Sequence, residues 1–447
     1  MDNLSHTVAG LLAGELLHRS LPAEADPQRH GVRRSLMLAT CALAGNFPDL
    51  DLVLTPLLPA PLGYLLHHRG HTHTLLYAIP QALLLAALLY LMWPSARRLL
   101  HESRWTRIGF GLALATGFGL HLAMDYLNSY GLHPFHPFQS GWIYGDMVFI
   151  LEPVFWVVFG IPMVMTLRRP AVRWLLLLAA PTALAWFAWR GFLAWQSLAA
   201  LLAAGALLAL AAGARAGRPT LAVPLAVPLA AAMLGLAFVG LQSLASGQAR
   251  TLVGKELRAR DPGARLLDTA LSPYPANPVC WNFVAVESRA DSGLYRISRG
   301  VVSLAPGAMP VSACPPAFAE EPLPAGRQPL ALLSQRDYSL ERLHRLAATD
   351  CFVLDWLRFA RMPALDGDSA SDARFASSPR GNFTTLPLVE PARRACLWGV
   401  PQWDRPRADL LEAAASAAAA TARNRADPDC QRAAEQGSCA QANGAAR

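Results

Sequence analysis

Long apolar runs recur through the first half of the chain, at 75–93, 108–125, 147–167, 174–190, 193–213 and 220–245. Each comes close to the ~20 mostly apolar residues that a helix needs to cross a hydrocarbon core, so the pattern predicts six membrane spans. Two earlier apolar segments are less regular: 4–18 is short, and 35–58 is interrupted by "GNFPDLD". These read as partial spans or re-entrant helices, whose irregular backbone survives at membrane depth only where protein or a wet cavity satisfies it. Beyond residue 245 the pattern changes. "CWNFVAVESR" and "GLYRISRGVVSL" are β-branched and aromatic runs split by "ADSG", a hairpin signal. "SLERLHRLAATDCFVLDWLRFARM" has helical spacing. From residue 411 the chain is alanine-rich and of low complexity, expected as one helix followed by disorder. The expected fold is an α-helical polytopic membrane domain over 1–245, with about six to eight segments. A small mixed α/β extramembrane domain over 246–410 and a partly disordered tail over 411–447 complete it.

Composition agrees with this division. Hydrophobic residues make up 53% and charged residues 16%, against roughly 25% charged in an ordinary soluble domain. The net charge of +8 comes from 39 Lys and Arg, nearly all Arg, scattered or gathered at span ends with no aromatic-interleaved stripe. Nucleic-acid binding is therefore not expected, and the charge reads as topology. Arg97, Arg98, Arg104 and Arg107 separate the first two clear spans, Arg168, Arg169 and Arg173 the third and fourth, and Arg215 and Arg218 precede the last. These alternate loops can all be cytoplasmic at once, with Arg190 the single exception. Residues 126–146 and everything after 246 then lie outside, which in a bacterial inner membrane means the periplasm. The start "MDNLSHTVAGLLAGELLHRS" has no basic n-region and is expected to be retained rather than cleaved as a signal peptide. Six of the seven cysteines (280, 314, 351, 396, 430 and 439) fall in the appended part. They are compatible with up to three disulfides, in 15 possible pairings, and with an oxidising compartment.

Ionisable groups inside apolar segments are costly and are functional candidates by default. Four groups stand out: His6, the carboxylates of "NFPDLD" (Asp49 and Asp51), the histidines of "HHRGHTH", and "HLAMDYLNSYGLHPFHPF" with His121 and Asp125. His121 and Asp125 are four residues apart and share one helical face. Asp49 and Asp51 follow Pro48, which favours an extended or turn backbone on which alternate carboxylates point the same way. His68 and His73 straddle a Gly-containing turn and can both reach inward. Imidazole with carboxylate suits Zn, Mn or Fe, without the thiolates of structural zinc sites. Taken singly, each has a plainer reading: a buried hydrogen-bonding histidine for His6, and a helix cap for either aspartate. His67 and His71 read as solvated, and His133 and His136 as structural or substrate-facing. The set, clustered toward one membrane face, favours a shared metal site. No nucleophile elbow, P-loop or GxGxxG fingerprint occurs.

In this order, His6, "PDLD", "HRGHTH" and "HLAMDYLNSYG" resemble the YdjM-type family of membrane-bound metal-dependent hydrolases. Its pattern of an early His, PDxD, HRGxTHS and HxxxDxxTxxG maps to His6, Asp49 and Asp51, His68 to His73, and His121, Asp125 and Gly131. Thr74 stands for the motif's Ser and Asn128 for its Thr. The following "IYGDMVFILEPVFW" is similar to the family's next segment and supplies Asp146 and Glu152. The resemblance covers about residues 1–160. It implies one or two divalent metals held among His6, Asp49, Asp51, His68, His73, His121 and Asp125. Arg69 would stabilise an anionic oxygen or anchor to lipid phosphate. Asp146 or Glu152 would act as general base, and Asn128 and His136 would face the substrate. The reaction implied is attack of activated water on an ester or phosphoester, with a membrane lipid or lipid-linked molecule as the substrate that suits a site at the bilayer edge. The alternative is a non-catalytic metal-binding or transport protein in which the same residues line an ion path.

Overall fold

The computed structural model describes residues 1–213, 223–318, 323, 324, 326, 328–375, 381–388 and 395–412. The alanine-rich tail beyond 412, Arg215, Arg218, Cys430 and Cys439 lie outside the described residues. Among the described residues, six helical stretches are long and apolar enough to cross a membrane: Pro27–Leu57, Leu75–Met92, Arg104–Tyr126, Pro170–Trp189, Trp195–Gly213 and Ala226–Arg260. A small sheet-containing region with antiparallel strands follows them. The protein is thus a helical membrane domain with a small α/β region appended.

The first apolar segment is a full helix, α1 (Asn3–Ser20), with Asp2 capping its start through Ser5 N–H. It packs against α2 (Pro27–Ala44), α6 (Arg104–Tyr126), α7 (Pro153–Met165) and α10 (Ala226–Arg260). Its close approach to α2 requires small residues. A Cβ on Gly10 would sit 2.7 Å from Ala42 Cα, and one on Gly14 would sit 2.6 Å from Met37 O. The second segment begins as a helix already at Pro27, stops at Gly45, and resumes as a 3-10 helix over Pro48–Leu57. The backbone at PDLD is therefore helical rather than extended. A short α3 (Leu62–His67), a 3-10 turn at His71–His73, and α4 (Leu75–Met92), capped by Thr74, carry the chain back into the bilayer. An amphipathic α5 (Pro94–Glu102) then leads into α6.

Two elements depart from the apolar pattern for identifiable reasons. The run 147–167 becomes only the 13-residue α7, because Pro153 and its capping neighbour Glu152 start the helix late. The preceding strand-like segment is tied back instead, through Gly145 N–H to Tyr126 O (2.8 Å) and Met147 N–H to Leu127 O (2.9 Å). After α8 (Pro170–Trp189) and α9 (Trp195–Gly213), the last apolar run continues as the 35-residue α10. At 1.5 Å per residue α10 is about 50 Å long, well beyond a ~30 Å hydrocarbon core. Its far end stands outside the bilayer and becomes part of the appended region.

That region is built on a four-stranded antiparallel sheet, β1 (Arg265–Tyr274), β2 (Asn277–Arg289), β3 (Leu294–Ser303) and β4 (Leu330–Ser339), in order 1-2-3-4. Alternation along β2 serves both faces. Trp281, Phe283 and Ala285 pack on Ala249, Val253 and Leu257 of α10. Val284 and Val286 join a core that contains Leu62, Leu65 and Leu66 of α3 together with Trp356 and Phe359. The helical stretch after β4 is two helices, α11 (Leu340–Thr349) and α12 (Cys351–Trp356). Asp350 breaks it by capping Phe352 N–H at 2.9 Å. A small sheet of β5 (Pro363–Asp366), β6 (Ser369–Asp372) and β7 (Leu386–Pro387) completes the described fold. Cys280–Cys314 and Cys351–Cys396 form disulfides, and Cys41 is free and buried.

The two ends of the bundle differ in chemistry. At one end Arg29 pairs with Glu102 (2.5 Å), Arg33 reaches Glu24 (3.3 Å), and Glu24 accepts from Ser103 (2.6 Å). At the other lie the start of α1, the PDLD turn, the HRGHTH turn and the end of α6, all beneath the appended region.

Candidate metal centre

The histidine and carboxylate motifs meet at this second end. His121 and Asp125, one turn apart on α6, bring Nε2 and Oδ2 to 3.5 Å. Asp49, in the first turn of the 3-10 helix, places Oδ1 3.3 Å from His73 Nε2 and 3.8 Å from His121 Nε2. His73 Nε2 also lies 3.3 Å from Asp125 Oδ2. One ligand atom from each of Asp49, His73, His121 and Asp125 thus falls within 4.8 Å of the others, a group that could hold a metal ion.

The orientation of each imidazole is determined at its other nitrogen. His121 Nδ1 meets Gly45 O at 2.8 Å, and His73 Nδ1 meets Asp51 Oδ2 at 3.2 Å, so both rings turn Nε2 toward the cluster. His73 Nε2, His121 Nε2 and Asp125 Oδ2 are all buried without a hydrogen-bond partner. Buried polar atoms are ordinarily paired. Three atoms without hydrogen-bond partners, two from α6 and one from the HRGHTH turn, two of them imidazole and one carboxylate, fit a divalent cation.

Asp51 is the organiser of the HRGHTH turn. Besides His73 it takes His68 Nδ1 (3.0 Å), Arg69 N–H (3.1 Å) and Thr72 Oγ1 (2.7 Å). PDLD therefore splits its carboxylates: Asp49 faces His73 Nε2 and Asp51 faces Nδ1 of the same ring. His68 is engaged with Asp51 and sits outside the four-residue group. Arg69, in a left-handed conformation at φ +58°, donates through Nη2 to Asp125 Oδ1 (3.0 Å) and through Nη1 to Asn128 Oδ1 (3.1 Å). Its guanidinium lies 4.6 Å from the Tyr130 ring centre. His6 stacks on His121 with ring centres 4.3 Å apart, its Nε2 3.3 Å from Asp125 Oδ1, and both of its ring nitrogens are unpaired. The Met1 amine also reaches Asp125 Oδ1.

Residues 1–196 match the family described as YdjM inner membrane protein. The match is confined to the first 196 residues, which are similar to this family. A 157-residue stretch is 28% identical to "Uncharacterized protein YfhP" of Bacillus subtilis (strain 168), covering 35% of this chain and 43% of that protein. The alignment thus spans less than half the length of this relative. No solved structure matches the chain.

The other sequence candidates of the matched region lie elsewhere. Asp146 is fully buried and held by two arginines from beyond the bundle. Arg361 meets it at 2.9 Å through both Nη1 and Nη2, and Arg250 at 2.7 Å. Arg361 also grips Asp268 at 2.8 and 3.0 Å. Burial alone would raise the Asp268 carboxyl, but Arg361 overcomes this and holds it at about 2. Glu152 caps α7 through Val154 N–H (3.1 Å) and accepts Ala276 N–H from the β1–β2 turn (3.1 Å). Among the described residues, no hydrogen bond or ion pair links Asp146 or Glu152 to the four-residue group. Asn128 buttresses Arg69. His136 bonds Ser140 (2.8 Å) and, with His71 and His133, surrounds Trp403. The clamp residues Arg361, Arg250 and Asp268 escaped sequence reading because nothing local distinguishes them from surface charges.

Proposed function

We propose that the YdjM-type region is a metal-dependent hydrolase that cleaves an ester or phosphoester at the outer face of the bacterial inner membrane. The observation that carries this reading is the convergence of Asp49, His73, His121 and Asp125, with three of the converging atoms buried and unpaired. A bound divalent metal would supply Lewis acidity and lower the pKa of water. The chain's own residues do the rest. Asp51 and Gly45 O hold the two imidazoles in the tautomer that offers Nε2. Arg69 neutralises part of the Asp125 charge and is placed to meet an anionic oxygen. His6, with both nitrogens unpaired beside Asp125, is placed to accept a proton or to add a ligand. Asp146 and Glu152 serve as structural ties to the appended region.

Placing the site and the appended region in the periplasm is supported by the two disulfides, which suit an oxidising compartment. The arginine-rich opposite end supports the same orientation. An ion path is less well supported. Between His6 and the Glu15/His18 end, α1 lies directly on the α2 backbone at Gly10 and Gly14, with no room for even a Cβ.

The test is metal analysis of purified wild type against His73→Ala and His121→Ala, paired with a hydrolysis screen on phospholipids and generic phosphoesters. Bound metal in the wild type that is lost in both variants, together with turnover that follows it, is expected. A metal-free wild type would overturn the proposal, and metal without turnover on any ester would return the site to a non-catalytic role.

A further inference from the structure

A groove of about 890 Å³ runs between α1 and α2 on one side and α7 and α8 on the other. Leu4, Val8 and Leu11 of α1 wall it toward the metal-centre end, with Leu38 and Ile161 farther along. Gln28, Arg34, Ser35 and Arg168 stand at the opposite, arginine-rich end, beside Trp93. From Trp156 to Thr166, both on its wall, the groove follows α7 for about 15 Å, half of a ~30 Å hydrocarbon core. Among the described residues, no acidic side chain lines it. The two ends differ in the donors they have left. At the metal-centre end Thr7 Oγ1 donates to Asn3 O (2.7 Å) and accepts from Asn46 Nδ2 (3.1 Å). Trp156 Nε1 is spent on Asp2 Oδ1 (3.2 Å) and Ser5 Oγ (2.9 Å). At the arginine-rich end Arg34 gives Nε to Glu15 Oε2 (2.6 Å). Among the described residues, its two Nη groups and the side chains of Arg168, Gln28 and Ser35 have no hydrogen-bond partner. Glu15 is buried, is also held by Arg19 (2.5 Å), and is not part of the wall.

We propose that this groove binds one anionic phospholipid from the leaflet at the arginine-rich end. Arg34 and Arg168 hold its phosphate, and an acyl chain lies along the groove toward Leu4. A pocket with an apolar lining and a few convergent polar groups suits a ligand that is apolar along most of its length, and basic pockets between spanning helices recognise anionic headgroups. Guanidinium donors satisfy a phosphate with charge-assisted hydrogen bonds, and the amide of Gln28 and the hydroxyl of Ser35 add neutral ones. Trp93 stands at headgroup depth, where tryptophans collect. The direction of the lipid follows from the donors: a headgroup at the other end would meet Thr7 and Trp156, whose donors are already spent. The bound chain fills the space between α2 and the Leu176 and Ala180 face of α8, taking the place of direct helix packing there. The site is remote from the metal centre and does not rest on the hydrolase reading.

The experiment uses the full chain in phosphatidylcholine nanodiscs doped with phosphatidylglycerol or phosphatidylcholine probes. Each probe carries a diazirine either near the ester or at the end of one acyl chain, and adducts are mapped by mass spectrometry. The ester-proximal phosphatidylglycerol probe is expected to label 31–38 and 161–168 about tenfold more than its phosphatidylcholine counterpart, the worth of about one hydrogen bond to a charged group. The chain-end probe should label 4–11 instead. Arg168→Gln, at an exposed side chain, should remove most of the headgroup preference. Arg34→Gln should do the same, with Glu15 still held by Arg19. Gly160→Leu, whose Cβ would meet only Val8 Cγ1 at 3.7 Å, extends into the groove and should lower chain-end labelling of 4–11 while labelling of the exposed α4 surface stays unchanged. Equal labelling by the two headgroups, or a preference that survives both arginine variants, overturns the proposal. Ester-proximal labelling of 4–11 overturns it by placing the headgroup at the metal-centre end. Full displacement of the lipid by soluble glycerol phosphate overturns it too, by making the occupant a soluble phosphate.

Discussion

Replacing Arg361 by methionine tests whether Asp146 is a clamp or a catalytic base. The Arg361 side chain is 3% exposed and makes four carboxylate contacts, two to Asp146 at 2.9 Å and two to Asp268 at 2.8 and 3.0 Å. Its guanidinium also lies 3.9 Å from the centre of the Tyr144 ring. Removing it leaves the fully buried Asp146 with Arg250 alone, and leaves Asp268 with Arg407 at 3.5 Å and Arg250 at 3.8 Å. Breaking a buried pair from one side costs about 3–5 kcal/mol, because the stranded charge stays buried. Arg250 reaches the same Asp146 carboxylate at 2.7 Å but is 41% exposed, so Arg250→Met should cost only about 1 kcal/mol.

Chemical unfolding of detergent-solubilised protein, read by tryptophan fluorescence, measures both variants. Limited proteolysis reports whether the appended region loosens from the bundle. Asp146→Asn should fall near Arg361→Met in stability and should lower turnover only as far as it lowers the folded fraction. Equal losses in Arg361→Met and Arg250→Met would refute the burial argument. Abolished turnover in an Asp146→Asn protein of unchanged stability would make Asp146 a base after all.

Asp51→Ala should weaken metal binding about 10–100-fold without abolishing it, since it removes the group that orients His73 rather than a member of the cluster; competition with a chromophoric chelator measures this. Gly10→Leu should push α1 off α2, costing about 1–3 kcal/mol for overpacking and lowering metal affinity as His6, and Asn3 which donates to Asp49 Oδ2 at 3.1 Å, move with the helix; thermal unfolding with and without metal checks it. Cys280→Ser with Cys314→Ser opens a 34-residue loop and should cost about 4 kcal/mol on the chain-entropy account, measured by denaturant titration of oxidised and mutant protein. The folded pKa of Asp268, about 2, lies below its ordinary value of 3.8. The stability it contributes is therefore complete above about pH 4 and is lost as pH falls toward 2. That loss is about 2 kcal/mol, and it should vanish from the pH–stability profile of Asp268→Asn.

The parts of this architecture that could be read along the chain are those written in local periodicity or spacing. Apolar runs marked five of the six span-length helices among the described residues, missing Pro27–Leu57 and including 147–167, which holds only the short α7; the four-residue spacing of His121 and Asp125 put both on one face of α6 as expected. What could not be read depends on partners far away in sequence. Asp49 and Asp51 look equivalent in PDLD, yet a 3-10 turn sends one to each side of the His73 ring. His68 and His73 look like a pair, but Asp51 engages the first and aims the second. The fall in hydropathy after 245 marks where α10 leaves the bilayer, not where the helix ends, because helical periodicity continues on a face that now packs against Trp281 and Phe283. Asp146 stands alone in the sequence, and its contact with Arg361, 215 residues later, could not be read there.

These contacts bear on why this membrane site carries an extramembrane region. Asp125 is drawn into one charge network with Arg69, and Arg69 rests on Tyr130, whose ring packs on Phe359 and Phe375 of the appended region. Arg374 holds the same loop from above, through Ser129 O at 2.8 Å and Tyr130 O at 3.0 Å. On the other flank Trp403 covers the HRGHTH turn so closely that a Cβ on Gly70 would meet it at 3.3 Å. A functional arrangement needs its supporting groups held by packing and hydrogen bonds, and here part of the support for Arg69 comes, through Tyr130, from beyond the membrane domain. Deleting the appended region would therefore leave the His and Asp ligands on their own helices and turns but release Arg69 and the 127–150 loop. Metal binding should survive such a truncation better than turnover does, and that difference would separate holding the ion from using it.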